Sequence, residues 1–248
     1  MNNLKDIFDF CKSIVFDKNL TLAKNWKNEG ENRVLVGIVP NYFPREIIHA
    51  VNGLAVGLIS DETKYPKYSE YSDKDNSTNY NCNLFDGFFQ VCQSSTIEDF
   101  DGFILPSMCG HLLNDQSLNK SNESIKFIKY INFPQYFQTI IGDILNHNFV
   151  LDILREINKI NNVEITSTNL NHSIQLFKEN LRLTENIYAL RMQNKDIISQ
   201  EDLYYTVLAG LMIPIEKHNE ILENIITLFD NSDSRDEKLF KLYSGAYC

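Results

Sequence analysis

The chain has 248 residues, of which 43% are hydrophobic and 23% charged, enough for one large or two small globular domains. This composition excludes a disordered chain and a fibre. The longest apolar stretch, near residues 53–59, is too short to span a membrane. A net charge of −10 disfavours binding to nucleic acid, because both surfaces would be negative. Asp6 and Asp9 interrupt the N-terminal apolar residues, so we expect no secretory signal there.

The chain contains five cysteines, and no two of them have the Cys-x-x-Cys spacing of zinc ribbons or thioredoxin-type redox pairs. An odd number of cysteines without a secretory signal is typical of a reducing compartment. We therefore expect a cytoplasmic protein. The five are Cys11, Cys82, Cys92, Cys109 and Cys248.

Short apolar segments alternate with helical patterns before Pro134. The first of them is a continuous β-branched run that is typical of a buried parallel strand, and Pro44 fits the first turn of a helix after it. Such alternation predicts a doubly wound, Rossmann-like parallel sheet, an α/β fold. The predicted strands are 33–39, 54–59, 103–108 and 127–133, with an exposed loop over 60–80 and further helices over 84–91 and 109–118.

A helical pattern replaces the alternation after Pro134. Apolar residues recur every four positions from Phe137 to Ile157, which is the spacing of one helix face. Three further helices are predicted, each with a sequence signal at its start. The signals are Thr166 or Thr168 as a cap, the Ser199–Asp202 capping-box pattern, and Pro214 in a first turn.

The apolar stripes of these helices are interpreted as core, because packing requires such spacing. The predicted buried residues are Leu170, Ile174, Phe177 and Leu181 in the second of them, and Ile221, Leu222, Ile225 and Ile226 in the fourth. Residues 238–243 alternate like a strand, and a lone strand needs a sheet to join. It either returns to the first sheet or opens a second α/β domain, and we favour the second alternative. We therefore expect a Rossmann-like domain at 1–134, a helical domain at 135–237, and at 238–248 the first strand of an absent second α/β domain.

Cys109 and Cys82 occur where α/β proteins place ligands. Cys109 follows the third predicted strand, at the carboxyl end where open parallel sheets bind ligands. Cys82 ends the polar loop, and both cysteines open predicted helices. A helix start lowers the pKa of a thiol, and two thiolates from adjacent loops can bind a soft metal or an iron–sulfur cluster. The alternative is two partly buried free thiols.

Other catalytic patterns are weak in this sequence. His111 is a candidate ligand or proton donor beside Cys109, or else a helix cap or exposed residue, and His49 lies in a predicted helix. Gly53 and Gly57 do not form the G-x-G-x-x-G phosphate loop, which argues against a dinucleotide enzyme. The sequence has no G-x-S-x-G elbow, so no hydrolase nucleophile is predicted. No catalytic residue is assigned.

Several segments, in the same order, resemble the benzoyl-CoA reductase and (R)-2-hydroxyacyl-CoA dehydratase subunit family. Residues 34–59 (VLVGIVPNYFPREIIHAVNGLAVGLI) are similar to the family's first strand, proline-containing turn, helix and second strand. Residues 100–120 (FDGFILPSMCGHLLNDQSLNK) are similar to its Asp-Gly-x-x-x-Pro-Ser-x-Cys-Asp segment, in a form closest to the C-type subunit of benzoyl-CoA reductase. Residues 242–248 (LYSGAYC) are similar to the opening of its third domain.

The resemblance implies an iron–sulfur subunit that pairs with a second subunit. In this anaerobic family each subunit binds a [4Fe–4S] cluster through three cysteines, and an ATP-dependent activator supplies electrons for radical reductive chemistry on an acyl-CoA thioester. Cys82 matches the first ligand position and Cys109 the second. The third ligand belongs to the third domain, which we expect to be absent here. The activity implied is that of a lyase, the dehydratase, or of an oxidoreductase, the reductase.

Four positions depart from the family pattern. Gly110 replaces an Asp, Leu113 an Arg and Ala55 a Pro, while Asp86 lies near the position of another expected Arg. These changes remove charged groups that would tune a cluster or bind CoA. Together with the missing third domain, they predict that the isolated chain is catalytically inactive.

The sequence is compatible with three functions from different classes of protein. The first is an iron–sulfur subunit of a CoA-thioester dehydratase or reductase, based on Cys82, Cys109 and the collinear resemblance. The second is a degenerate, non-catalytic paralogue that acts as a pairing or regulatory subunit, based on Gly110, Leu113 and Ala55. The third is an unrelated α/β domain that binds a small molecule in the same crevice.

Overall fold

The computed structural model describes residues 3–39, 43–58, 94–107, 125–131, 140–195 and 197–230. The strands in these ranges are β1 (Val34–Ile38), β2 (Gly53–Gly57), β3 (Gly102–Pro106) and β4 (Phe127–Ile131). The α-helices are α1 (Leu4–Phe16), α2 (Thr21–Asn28), α3 (Arg45–Ala50), α4 (Ile140–Asn161), α5 (Ser167–Gln193), α6 (Gln200–Ala209) and α7 (Ile215–Asp230). A short 3₁₀ helix, Ser95–Asp99, precedes β3.

The four strands form one parallel sheet in the order β2-β1-β3-β4. Each of them falls within or beside a predicted strand. All residues of β1, β2 and β3 are buried, which agrees with their continuous apolar sequences. The predicted Rossmann-like α/β fold with a helical region after it is therefore confirmed.

One face of the sheet packs on α4. Alternate residues of β1 point to the same face, and Val34, Val36 and Ile38 join one buried cluster. Ile153 and Ile157 of α4 are fully buried in that cluster, as their spacing predicts. Asn161, at the end of α4, donates from its amide Nδ2 to the Val51 carbonyl at 2.7 Å. This bond holds the helix end at the start of β2.

Asp101 closes the amino edge of the sheet, which is the edge where the parallel strands begin. Its side chain is 5% exposed. Its Oδ2 accepts hydrogen bonds from Leu35 N at 2.9 Å and Lys27 Nζ at 2.7 Å, and its Oδ1 accepts one from Lys126 Nζ at 2.8 Å. Leu35 lies in β1 and Lys126 directly precedes β4. One carboxylate therefore holds the starts of β1, β3 and β4 together.

Strand β2 is one of the two outer strands of the sheet. Its Gly57 N–H donates to the Leu211 carbonyl at 2.7 Å. Leu58, the next residue, donates inward to the Ile38 carbonyl at 2.8 Å. A segment far along the chain therefore occupies a backbone donor that an edge strand would otherwise expose.

Contacts between residues group the chain into two units. One contains the sheet and comprises residues 16–175 and 211–214; the other comprises 1–15, 176–210 and 215–248. The predicted domain boundaries stay predictions. None of the helices in the described ranges is both long enough and apolar enough to cross a membrane.

The helical unit has an apolar core with a buried polar network inside it. His218 is 3% exposed, and its Nε2 lies 3.1 Å from the Thr206 carbonyl, which only accepts. Nε2 therefore carries the proton, and Nδ1 accepts from the Asn180 amide at 2.7 Å. The Gly210 Cα lies against the His218 ring, because a Cβ there would come within 2.3 Å of the ring. The apolar core includes Ile7, Phe8, Cys11, Leu183, Ile187, Leu222 and Ile225.

The predicted starts of α5, α6 and α7 are confirmed. Asn169 N donates to Thr166 Oγ1 at 3.1 Å, so Thr166 rather than Thr168 caps α5. Ser199 and Asp202 form the reciprocal hydrogen bonds of a capping box before α6. Helix α7 begins directly after Pro214 and buries Ile221, Leu222 and Ile225, with Ile226 half-buried.

The predicted core stripe of α5 is wrong at Leu181, which is 60% exposed. Leu170, Ile174 and Phe177 are only half-buried. The reason is that α5 has two apolar faces, and its own core takes the face that carries Leu183 and Ile187. The predictions for 60–80, 84–91, 109–118 and 238–243 lie outside the described residues.

Candidate functional site

The strand order identifies one edge of the sheet as the candidate site. Because β1 lies between β2 and β3, the chain leaves β1 toward one side and returns to the other side to form β3. Ligands of open parallel sheets bind outside the carboxyl ends of strands at such a reversal. The candidate site is therefore the carboxyl edge beyond Ile38 of β1 and Pro106 of β3.

Ser107 fixes the end of β3 at this edge. Its backbone N–H and its hydroxyl both donate to the Ile131 carbonyl, each at 2.8 Å. Ile131 is the last residue of β4. The end of β3 is thereby held to β4. The fixed residue, Ser107, lies two positions before Cys109 in the sequence.

The predicted ligands Cys82 and Cys109 lie outside the described residues, as does His111. Their role as ligands stays a prediction. In the part of the chain that the structure describes, no group of three or more His, Cys, Asp or Glu side chains is placed to hold a metal ion.

Cys11 is the cysteine that the structure does describe, and its environment differs from that expected of a ligand. Its thiol is free and buried in the helical unit. Burial raises the pKa of this thiol to about 11, with a hydrogen bond to Thr206 acting in the opposite direction. Cys11 therefore stays protonated at neutral pH and is unsuited to bind a metal, which requires a thiolate.

Arg45 is a charged residue near the site that the sequence interpretation missed. It is the first residue of α3, the helix that follows β1. Its Nε is buried, and burial lowers the pKa of the guanidinium to about 10, with Glu46 opposing the shift. Arg45 therefore keeps its positive charge at neutral pH. The available signal was a cation directly after Pro44, where the helix dipole disfavours it.

A serine–histidine hydrogen bond also occurs in the sheet unit. His49 Nδ1 of α3 lies 2.7 Å from Ser173 Oγ of α5. Such a pair can serve nucleophilic catalysis when the hydroxyl is accessible. Ser173 is 1% exposed, so a substrate carbonyl has no access to its hydroxyl. The pair therefore joins α3 to α5, and His49 has a structural role.

A surface groove of about 650 Å³ lies along the second half of α4 and residues 163–165. Val51, just before β2, forms part of its wall, so the groove lies at the amino end of that strand. The charged residues on its wall include an ion pair between Arg155 and Asp152. Its position is opposite to the carboxyl edge, and it is not part of the candidate site.

The chain matches the family model described as 2-hydroxyglutaryl-CoA dehydratase, D-component, over residues 40–243. It is 27% identical to the C subunit of benzoyl-CoA reductase from Thauera aromatica, over 98% of this chain and 62% of that protein. It is 20% identical to the (R)-phenyllactyl-CoA dehydratase beta subunit of Clostridium sporogenes, over 91% of this chain and 59% of the relative.

A third relative is the beta subunit of (R)-2-hydroxyglutaryl-CoA dehydratase from Acidaminococcus fermentans, at 18% identity over 83% of this chain and 53% of the relative. The chain thus spans between 53% and 62% of the length of these three curated relatives. The family match covers residues 40–59 of the first segment that carries the resemblance, all of the second, and the first two residues of the third. The resemblance is therefore confirmed, and the chain belongs to the 2-hydroxyglutaryl-CoA dehydratase D-component family.

Proposed function

We propose that this chain is an iron–sulfur subunit of an enzyme of the 2-hydroxyacyl-CoA dehydratase or benzoyl-CoA reductase type. The observation that carries the proposal is the family match, which includes the segment with Cys109 directly after β3. The strand order supports it, because Cys109 follows the fixed end of β3 at the edge where parallel sheets bind ligands. The relatives are named for reactions on CoA thioesters, and we extend that substrate class to this chain.

In this proposal Cys82 and Cys109 supply two thiolate ligands to a [4Fe–4S] cluster. Thiolates are the ligands that such clusters take. When bound, the cluster supplies one-electron chemistry at low potential to the thioester. The part of this chain is to hold the ligands: Ser107 fixes the strand end before Cys109, and Asp101 holds the strands at the opposite edge.

The proposal includes a second subunit and an ATP-dependent activator as partners, and places the protein in the cytoplasm. The relatives are each named as one subunit of a larger enzyme, which supports a partner subunit. The reducing compartment is supported by the odd number of cysteines. Because a partner subunit and an activator are part of the proposed enzyme, we expect the isolated chain to have no turnover.

The test is the iron and acid-labile sulfide content of anaerobically purified protein. We expect wild type to contain both and Cys82→Ala and Cys109→Ala to lose most of each. Wild type is measured as this chain and with the downstream reading frame appended, because the chain spans only 53–62% of the length of its relatives. Wild-type protein without iron in both forms would contradict the proposal.

Cys11→Ala is the matched control. It also removes one thiol, but from a buried site where the thiol is protonated. We expect it to keep the wild-type iron content with a modest loss of stability from the small cavity. Loss of iron in all three variants would indicate unfolding rather than loss of ligands, and circular dichroism distinguishes the two.

The second candidate is a non-catalytic pairing or regulatory subunit. The observation that favours it is the replacement of charged family residues by Gly110 and Leu113. It predicts a folded protein that binds the partner subunit and contains no iron, with or without the downstream frame. The same iron measurement therefore separates the two functions.

A further inference from the structure

The turn that leads into β2 contains an Asn-Gly pair, and the fold explains both residues. Asn52 has a φ of 58°, in the left-handed region that asparagine tolerates better than most residues with a side chain. Gly53 is buried at the first position of β2, and a Cβ there would lie 2.6 Å from the Ile48 side chain and 2.9 Å from its carbonyl oxygen. The turn therefore favours asparagine at its first position and requires glycine at the next.

An asparagine before a glycine is the sequence in which the side chain reacts most readily with its own backbone. Glycine has no Cβ to shield its nitrogen, so this nitrogen can reach the asparagine Cγ. Asn52 is the one asparagine of the 248-residue chain that a glycine follows. The structural demands of the turn therefore place the chain's most reactive asparagine at the start of β2.

The reaction is deamidation, and it needs no co-reactant other than water. The Gly53 nitrogen attacks Asn52 Cγ, and the new C–N bond replaces the bond from Cγ to Nδ2. The side-chain nitrogen leaves as ammonia and takes the proton that the Gly53 nitrogen loses. Water then opens the cyclic imide at either carbonyl, which leaves aspartate or isoaspartate at position 52.

The folded structure keeps the reacting atoms of this pair in place. Asn52 Nδ2 donates to the carbonyls of Glu31 and Asn32, each at 3.1 Å, which directs the amide toward the loop before β1. The Asn52 carbonyl accepts from Val34 N at 3.2 Å, and this bond fixes the peptide group between Asn52 and Gly53. Cγ and the Gly53 nitrogen meet only when these bonds open, so the folded chain should react slowly.

We propose that Asn52 is a spontaneous deamidation site that the native fold protects, and that its modification weakens the pairing of β1 with β2. A carboxylate at position 52 cannot donate to the carbonyls of Glu31 and Asn32, so acceptors would then face acceptors. Isoaspartate also inserts its Cβ into the backbone, so the residues of β2 no longer align with those of β1. The inference concerns the amino edge of the sheet and does not depend on the cluster or the thioester.

The test is peptide mapping by mass spectrometry after incubation at mildly alkaline pH, in native buffer and in guanidinium chloride. Cleavage by trypsin after Arg45 and Lys64 gives a peptide whose one asparagine is Asn52, so a mass increase by deamidation is assigned to it. We expect the rate in native buffer to be at least about tenfold lower than in guanidinium, because opening must precede reaction. Asn162 is the control within the chain. It also has a positive φ, of 55°, but Val163 follows it, so it should react far more slowly than Asn52 in guanidinium.

Urea denaturation of Asn52→Asp tests the effect on strand pairing, with Asn162→Asp as the matched variant. Both make the same change of charge at a left-handed position, but the Asn162 side chain forms no hydrogen bond within the described ranges. We expect the folding equilibrium constant to fall at least about tenfold in Asn52→Asp and to stay near the wild-type value in Asn162→Asp.

Three results would overturn the proposal. Absence of modification at Asn52 in guanidinium would remove the site, and equal rates in the two buffers would remove its protection by the fold. Wild-type stability of Asn52→Asp would remove the effect on β1 and β2. The rates are measured on wild type, so they test the proposal even where Asn52→Asp does not fold.

Discussion

Different bonds hold the two edges of the parallel sheet. At the amino edge the buried carboxylate of Asp101 accepts hydrogen bonds from β1, from Lys27 and from Lys126. At the carboxyl edge the strand ends are held by neutral bonds, namely the two from Ser107 to the Ile131 carbonyl. The charged bonds of Asp101 therefore lie at the edge away from the candidate site.

This difference indicates that the amino edge contributes more to the stability of the sheet, while the candidate site lies at the carboxyl edge. A buried carboxylate with two cations needs its full set of partners, so the amino edge tolerates little change. A neutral bond such as that of the Ser107 hydroxyl contributes less to the free energy of unfolding than a buried charged bond, so its loss should cost less. Changes at the two edges should accordingly differ in their effects on folding and on iron content.

The largest effect is expected for Asp101→Asn. Burial raises the pKa of Asp101, but hydrogen bonds from Lys126, Lys27 and the Leu35 amide outweigh it, so the folded pKa lies below 3.8. The variant should lose about 3 kcal/mol of unfolding free energy at neutral pH, measured by urea denaturation. Asp152→Asn breaks a solvent-exposed ion pair, and we expect a change below about 0.5 kcal/mol.

Comparing wild type with Asp101→Asn also gives the pH dependence of the stabilisation by Asp101. The folded-state pKa is depressed, so the stabilisation by Asp101 is complete above the unfolded pKa and disappears as the pH falls through the folded one. Wild type and Asp101→Asn should therefore approach each other in stability below pH 3.8. A difference that stays constant to low pH would contradict the assigned role of the carboxylate.

A smaller effect is expected for Gly37→Ala in β1. A Cβ at this position would lie 2.5 Å from the ring of Phe103 on the neighbouring strand, so the ring must move. We expect a loss of about 2 kcal/mol in the unfolding free energy. Combining it with Phe103→Leu should cost less than the sum of the two single changes, because the smaller side chain makes room. Simple additivity would contradict this explanation.

The smallest effect on stability is expected for Ser107→Ala at the carboxyl edge. The variant loses the hydroxyl bond to Ile131 but keeps the backbone bond, at a cost of about 1 kcal/mol. In the proposed cluster-bound protein the end of β3 is then less firmly held, so a chelator should remove iron faster than from wild type. Asp101→Asn, which is more destabilised but altered at the other edge, should release iron at the wild-type rate under native conditions. Faster iron release from Asp101→Asn than from Ser107→Ala would contradict the proposed difference between the two edges.

Much of this fold could be predicted from local sequence. The strands were predictable because continuous apolar runs are what a buried parallel strand requires. The starts of α5 and α6 were predictable because Thr166 and Ser199 are caps that act on the next turn. Helices α1 and α2 were not predicted, although Ile7, Cys11 and Ile14 of α1 have helical spacing.

The parts that could not be predicted depend on contacts between distant residues. Asp101 resembles any surface carboxylate until the fold brings Lys27 and Leu35 to it. The choice of the buried face of α5 depends on its neighbours, which is why Leu181 was wrongly predicted to be buried. For the candidate site, the fixed end of β3 is now described, while the ligand roles of Cys82 and Cys109 remain proposals.

The hydrogen bond from Gly57 to Leu211 has a consequence for the order of folding during synthesis. The four strands leave the ribosome within the first 131 residues, but the partner of the outer strand is made 154 positions after Gly57. Until then β2 is an open edge that can pair with another nascent chain. Translation pauses between β4 and residue 211 should therefore lower the yield of properly folded protein.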